Sequence, residues 1–192
     1  MEFKIPDGEL SYIPDFMSIE DSSAWFDRLL AYLPLETRKI KLFGKEYLTP
    51  RKEAFFSRSG ETYGYSGTQL TAHPFDNNLK HLTSHVEKFT GQQYNSVLIN
   101  LYRDGRDSNG WHSDNEKELG KNPFIASLSL GETRRIQFKH RNKNDKLSID
   151  LESGSLLLMG GTLQHYWKHQ IPKTRTSKNT RLNLTFRYIV SN

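Results

Sequence analysis

The sequence predicts an α+β fold in which two amphipathic helices precede a run of short strands forming a double-sheeted β core. Three observations predict it. Apolar residues recur at helical spacing twice before Thr90, and strand-like alternation takes over from Tyr94 onward. The strands are short and separated by turn residues, the pattern of antiparallel sheets packed as a sandwich or barrel. At 192 residues and 35% hydrophobic, the chain is long enough to bury a substantial core as one domain spanning 1–192.

Taken in order, Ser18 reads as an N-cap with Asp21 three residues on. Ile19, Trp25, Phe26, Leu29, Leu30 and Leu33 follow as an apolar helical stripe. Residues 38–67 carry short alternating runs broken by Gly44, Pro50, Gly60, Gly64 and Gly67, which predicts hairpins and loops. The second helix is marked by Phe75, Leu79, Leu82, Val86 and Phe89, at spacings of four, three, four and three. Strands are expected at Ser96–Tyr102, Phe124–Leu130, Thr133–Lys139, Leu147–Leu151, Ser155–Met159, Tyr166–His169 and Leu182–Val190, with a tight hairpin turn at Gly131-Glu132.

Composition excludes several chemistries. Without cysteine there is no disulfide framework, zinc–thiolate site, iron–sulfur cluster or thiol catalysis, so any metal is held by His, Asp or Glu. No apolar run reaches the roughly 18 residues of a bilayer span, and the start, Met1-Glu2-Phe3-Lys4, does not read as a secretory signal. The expectation is an intracellular monomer with no membrane partner, nuclear in a eukaryote and cytoplasmic in a bacterium. A formal charge of +5 favours a polyanionic partner.

Chemistry concentrates in three segments. His112-Ser113-Asp114 and a later His169 offer two imidazoles and a carboxylate, a ligand set that suits Fe(II) with positions left open. On the last strand, Arg181, Asn183, Thr185 and Arg187 share a face opposite Leu182, Leu184, Phe186 and Tyr188. Asn100 and Tyr102 repeat that arrangement earlier. Alone, such a polar face belongs in water. Converging inside a small β core, it makes a pocket for a small dianion, since a guanidinium fork pairs a carboxylate through two hydrogen bonds. Of the other histidines, His73, His81 and His85 read as surface or helix packing, while His140 and His165 stay open.

The order Asn-x-Tyr, His-x-Asp, His, Arg resembles the AlkB family of Fe(II)- and 2-oxoglutarate-dependent dioxygenases. The carrying segments are Leu98–Gly105, Trp111–Glu116, Ile125–Gly131 and Arg181–Arg187, within a match from Ile40 to Val190. The resemblance implies a double-stranded β-helix, or jelly roll, over about 94–190, preceded by nucleotide-recognition hairpins at about 38–67. It implies iron ligation by His112, Asp114 and His169. The second histidine is His169 rather than His165 because it stands just before Gln170-Ile171-Pro172. Arg181 and Tyr102 are then expected on the distal carboxylate of 2-oxoglutarate, with Asn100, Asn183, Thr185 and Arg187 around it. O2 would be the oxidant and ascorbate a possible reductant.

The N-terminal part is similar to the animal members acting on double-stranded DNA. There Phe43, with Gly44 and Lys45, would be a finger filling the gap left by a flipped base. Tyr63 and Tyr65 would stack on the extruded base, and Asn115 and Glu116 would read its exocyclic amine. Arg51, Lys52, Lys45 and Arg141 would contact phosphates. The implied activity is demethylation of 1-methyladenine and 3-methylcytosine in alkylated DNA, duplex favoured and single strand possible, releasing formaldehyde and succinate. An enzyme of the same family acting on RNA or a non-nucleic-acid substrate, and a non-catalytic DNA-binding module, are the alternatives.

Overall fold

The computed structural model describes residues 1–42, 45–58, 60, 63–65 and 68–190, with the backbone alone at 40–42, 45, 63–65 and 68–70. In chain order the elements are β1 (Glu2–Phe3), β2 (Glu9–Ile13), α1 (Ile19–Tyr32), β3 (Lys39–Leu42), β4 (Lys45–Leu48), β5 (Lys52–Ser57), β6 (Tyr63–Tyr65), β7 (Thr68–Leu70) and β8 (Ala72–Pro74). There follow α2 (Asn77–Thr90), β9 (Ser96–Tyr102), β10 (Asn109–His112), β11 (Ile125–Gly131), β12 (Arg134–His140), β13 (Lys146–Leu151), β14 (Leu156–Gly160), α3 (Leu163–Tyr166), β15 (Trp167–Ile171) and β16 (Arg181–Arg187).

Two sheets form the core. The larger has the order β1-β2-β14-β11-β16-β9-β5-β8 and the smaller β10-β15-β12-β13. Neighbours pair antiparallel except β5 and β8, which run parallel. The interleaved strand order is that of a jelly roll. β3–β4 and β6–β7 are separate two-stranded hairpins, as the glycine-punctuated segment predicts.

Each face of β16 has a different destination. Leu182, Leu184 and Phe186 are fully buried against α1 and α2, together with Leu29, Leu79, Leu82 and Val86. Burying each such side chain contributes about 1.5–3 kcal/mol. A second apolar cluster lies among residues of both sheets, with Ile125, Leu157 and Met159 from the large sheet meeting Ile136, Phe138, Ile149 and Trp167 from the small one. The helices start where the caps predict. Ser18 Oγ accepts from the Asp21 amide at 3.0 Å and donates to its carboxylate at 2.8 Å, while Asp76 caps α2 through the Leu79 amide.

Three expectations are corrected. The α1 stripe is narrower than its apolar residues suggest: Ile19 is 86% exposed and Leu30 39%, because only the arc around Leu29 meets the sheet. Phe89 ends the α2 stripe half in water, resting its ring edge on Phe16. Gly131-Glu132 is not a hairpin turn. β11 pairs with β14 and β16 in one sheet, β12 with β13 and β15 in the other, so the turn carries the chain between sheets. Gly131 sits at φ +83°, and a Cβ there would lie 2.6 Å from both the Phe26 ring and the Thr180 carbonyl. His81 and His85 on α2 pack beside Trp25 and Phe16, while His73, on β8 rather than a helix, packs beside Phe56 of β5.

Candidate active site

The polar face of β16 does not meet water. Register sets Arg181 opposite Tyr102 and Asn183 opposite Asn100 on β9, and Thr185 opposite Ser127 on β11. All are buried, because the small sheet covers this face. Their polar atoms are largely tied together: Asn183 Nδ2 donates to Ser127 Oγ at 2.8 Å and to the Leu128 carbonyl at 3.0 Å, and Thr185 Oγ1 donates to Asn183 Oδ1.

Across from this face, β10 and β15 pair His112 directly opposite His169. One ligand atom each from His112, Asp114 and His169 falls within 4.8 Å of the others. His112 Nδ1 donates to the Gly110 carbonyl at 2.7 Å, which fixes the tautomer and leaves Nε2 with its lone pair. Nε2 stands 3.8 Å from Asp114 Oδ1 and accepts from Asn109 Nδ2 at 3.2 Å. Asp114 Oδ2 accepts from Arg187 at 2.8 Å, and the Asp114 amide donates to Gln164 Oε1 at 3.0 Å. Asp114 Oδ1 and His169 Nδ1 are buried with no hydrogen-bond partner. His165 is exposed and bonded to Lys121 and Asn122, away from the cluster.

Electrostatics prepare these groups for a cation. Burial depresses both imidazoles, His169 to about 3, so they are neutral and able to ligate near pH 7. Burial alone would raise Asp114, but the Arg187 guanidinium beside it outweighs burial and holds the group ionised. The donor set, two neutral imidazoles and a carboxylate with an unsatisfied oxygen, therefore fits Fe(II).

Arg181 is the complementary oddity. It is 1% exposed and donates one bond, to Ser129 Oγ at 2.9 Å, while Nε and the other terminal nitrogen have no acceptor. Its guanidinium lies 5.2 Å from the Tyr102 ring centre, with Arg134 at 5.4 Å from the same ring. Arg134 is bonded to the Asp104, Asp107 and Pro172 carbonyls. No carboxylate pairs with Arg181 among the described residues, and burial lowers it to about 10. A carboxylate-bearing ligand at the terminal nitrogens would give the idle one an acceptor and the cation a counterion. The cavity between Arg181 and the triad is lined by Asn100, Tyr102, Asn183 and Thr185.

Other expected site residues divide. Arg51 departs from a phosphate role. It is 4% exposed and points inward, donating to Asn100 Oδ1 at 2.8 Å and pairing with buried Glu53 at 2.5 Å. Position explains this, since Arg51 stands just before β5, two residues from Glu53, which lies opposite Asn100 on β9. Lys52 is half-buried where β5 begins. Arg141 is exposed and donates to Ser113 Oγ at 2.6 Å, between two metal ligands. Asn115 is exposed, and Glu116 is half-buried ahead of a 3-10 turn at Lys117–Leu119. Phe43 and Gly44 lie outside the described residues; Lys45, Tyr63 and Tyr65 are described as backbone on β4 and β6. Sequence reasoning missed Gln164, Ser127, Ser129 and Arg134. Only the serines carried a signal, at alternate positions of a strand next to β16.

Comparison with known proteins agrees with this geometry. The sequence pattern of the 2OG-Fe(II) oxygenase superfamily matches residues 9–187. The chain is 36% identical over 183 residues to human DNA oxidative demethylase ALKBH2, covering 91% of this chain and 67% of that protein. It is 34% identical over 185 residues to human alpha-ketoglutarate-dependent dioxygenase alkB homolog 3, covering 92% and 64%. Among solved structures, OsALKBH1 superposes with a TM-score of 0.60 at 20% identity, covering 96% of this chain and 99% of that one. An oxidoreductase of the 2OG-Fe(II) oxygenase family from Burkholderia pseudomallei gives 0.62 at 16%, covering 95% and 86%. At these identities the structural likeness shows the fold.

Proposed function

The chain belongs to the 2OG-Fe(II) oxygenase superfamily, in its AlkB branch, and from that premise we propose that it demethylates 1-methyladenine and 3-methylcytosine in duplex DNA. The coarser activity is that of an AlkB-type Fe(II)/2-oxoglutarate dioxygenase, an oxidative demethylase of alkylated nucleic acids. One observation carries the reading: a His-Asp-His cluster faces, across one buried cavity, an arginine with no counterion among the described residues.

Iron bound with 2-oxoglutarate supplies O2 activation, converting the cosubstrate to succinate and CO2 while the N-methyl carbon is hydroxylated. The residues supply the rest. His112, Asp114 and His169 hold the metal, and Arg187 keeps Asp114 ionised and oriented. Arg181 takes the distal carboxylate, with Tyr102, Asn100, Asn183 and Thr185 shaping the pocket and excluding water. The hydroxylated base then collapses, breaking its N–C bond, to formaldehyde and the repaired base.

Substrate capture is assigned to the preceding hairpins. Phe43, flanked by Gly44 and Lys45, fills the space of the flipped base, and Tyr63 and Tyr65 stack on it. Asn115 and Glu116 read the exocyclic amine, and Lys52 and Arg141 contact phosphates. The chain acts as a single intracellular domain and a monomer, in the nucleus of a eukaryote. The test is formaldehyde release from methylated duplex, single-stranded DNA and RNA oligonucleotides with Fe(II), 2-oxoglutarate and ascorbate. Turnover fastest on duplex, with Phe43→Ala impairing duplex more than single strand, supports the proposal. Absence of succinate stimulation by any methylated nucleic acid would overturn it.

A further inference from the structure

The outer face of the small sheet carries a row of like charges that folding alone does not explain. Lys139 on β12 lies directly opposite Lys146 on β13 and directly opposite Lys168 on β15. Like charges facing each other across a sheet are destabilising, so such a row works against the fold. No acid offsets it among the described residues: none of the three lysines makes an ion pair, and Asp150, two rows along, is bound by Arg135 through two bonds of 2.7 Å. The intervening row is neutral, with Gln170 hydrogen-bonded to Gln137.

An exposed aromatic borders this row. Trp111 is 37% exposed, and its ring centre lies 4.3 Å from Lys139 Nζ. Its contact with Lys139, which faces outward from β12, sets it on the outer face of the sheet, away from the metal cluster. The strip also reaches the site's rim, where Arg141 bonds to Ser113 between His112 and Asp114. With strands about 4.8 Å apart, three opposed lysines span about 10 Å, roughly three intervals of the 3.4 Å per charge along one strand. Interleaved cations and a stacking ring are the elements of a single-strand track.

We propose that Lys139, Lys146, Lys168 and Trp111 form a track for the nucleic-acid strand that flanks the base undergoing oxidation. Phosphates neutralise the lysine row, and a neighbouring unpaired base stacks on Trp111. This surface rests on the nucleic-acid reading of the site above.

The test measures oligonucleotide binding against salt, using the full chain loaded with Mn(II) and 2-oxoglutarate and a methylated DNA oligonucleotide, single-stranded or in duplex. The triple variant Lys139→Gln/Lys146→Gln/Lys168→Gln should reduce the slope of log affinity against log salt by about two to three. Trp111→Ala should weaken single-strand binding by roughly tenfold. A control, Lys80→Gln/Lys88→Gln, removes exposed charges from α2, on the opposite face of the large sheet. The melting temperature of the triple variant at low salt should hold or rise, because the repulsion is relieved. A slope change no greater per charge than in the control overturns the track while leaving the demethylase reading intact. Absence of salt-dependent binding to any oligonucleotide by the wild type overturns both.

Discussion

At the scale of single residues, the site is built from groups that are costly until a ligand arrives. Arg181 is a buried cation whose fork is two-thirds idle. Replacing a buried charge by a side chain of similar volume is often stabilising. Arg181→Met should therefore raise the stability of the ligand-free protein by about 1–3 kcal/mol, while weakening 2-oxoglutarate binding at least tenfold. Urea unfolding and calorimetric titration read the two effects; loss of stability would argue that Ser129 alone satisfies the arginine. The imidazoles set a second expectation. His112 and His169 are depressed in the folded chain, His169 to about 3. Their stabilisation is complete above the unfolded value of about 6.5, because neither state is then protonated. As pH falls below it, only the unfolded chain binds protons, and stability declines down to the folded value by up to about 1.4 kcal/mol per pH unit for each histidine. Metal-free protein should thus show a urea midpoint falling steadily from pH 6.5 towards 4. A flat profile there would mean that the histidines are not buried neutral.

At the scale of elements, alternation was legible and partnership was not. The two faces of β16 follow from Arg181–Arg187 alone, and so does the pairing of Asn100 with Tyr102 on β9. What covers the polar face is a matter of topology: the small sheet that buries it includes β10, β12 and β15, which lie apart in sequence. For the same reason Arg51 read as a surface cation, since nothing local reveals that β5 joins β9 and brings it to Asn100. Gln164 was hidden more completely, on the short helix α3, reaching Asp114 across fifty positions of chain. Gly131 shows how one residue connects the two layers. Its left-handed conformation costs any side chain about 1–2 kcal/mol, and the Phe26 and Thr180 contacts add an overpacking cost of about 1–3 kcal/mol. Gly131→Ala should lose about 2–5 kcal/mol by urea unfolding. A loss below half that would show that Phe26 and the Thr180 loop give way readily.

At the scale of the whole molecule, the two sheets are held together by apolar contacts at one part of their interface and by an unfinished polar site at another. The apolar part is Ile125, Leu157 and Met159 against Ile136, Phe138 and Trp167. The polar part leaves Asp114 Oδ1, His169 Nδ1 and two nitrogens of Arg181 without hydrogen bonds. Metal and cosubstrate would join His112 and His169 on the small sheet to Arg181 on the large one, closing a link that the unfolded chain cannot form. Ligands that bind only the folded state stabilise it by mass action, about 2.7 kcal/mol at a hundredfold excess over Kd. For a chain of this size each kcal/mol moves Tm by roughly 2–4 °C. Mn(II) with 2-oxoglutarate should therefore raise Tm by about 5–10 °C. Either ligand alone should do less, because it touches one sheet or leaves one charge unmatched. The Arg181→Met protein should keep the manganese increment and lose the cosubstrate one. Additive, independent increments in that variant would mean that the dianion binds elsewhere, and that Arg181 does not bridge the sheets.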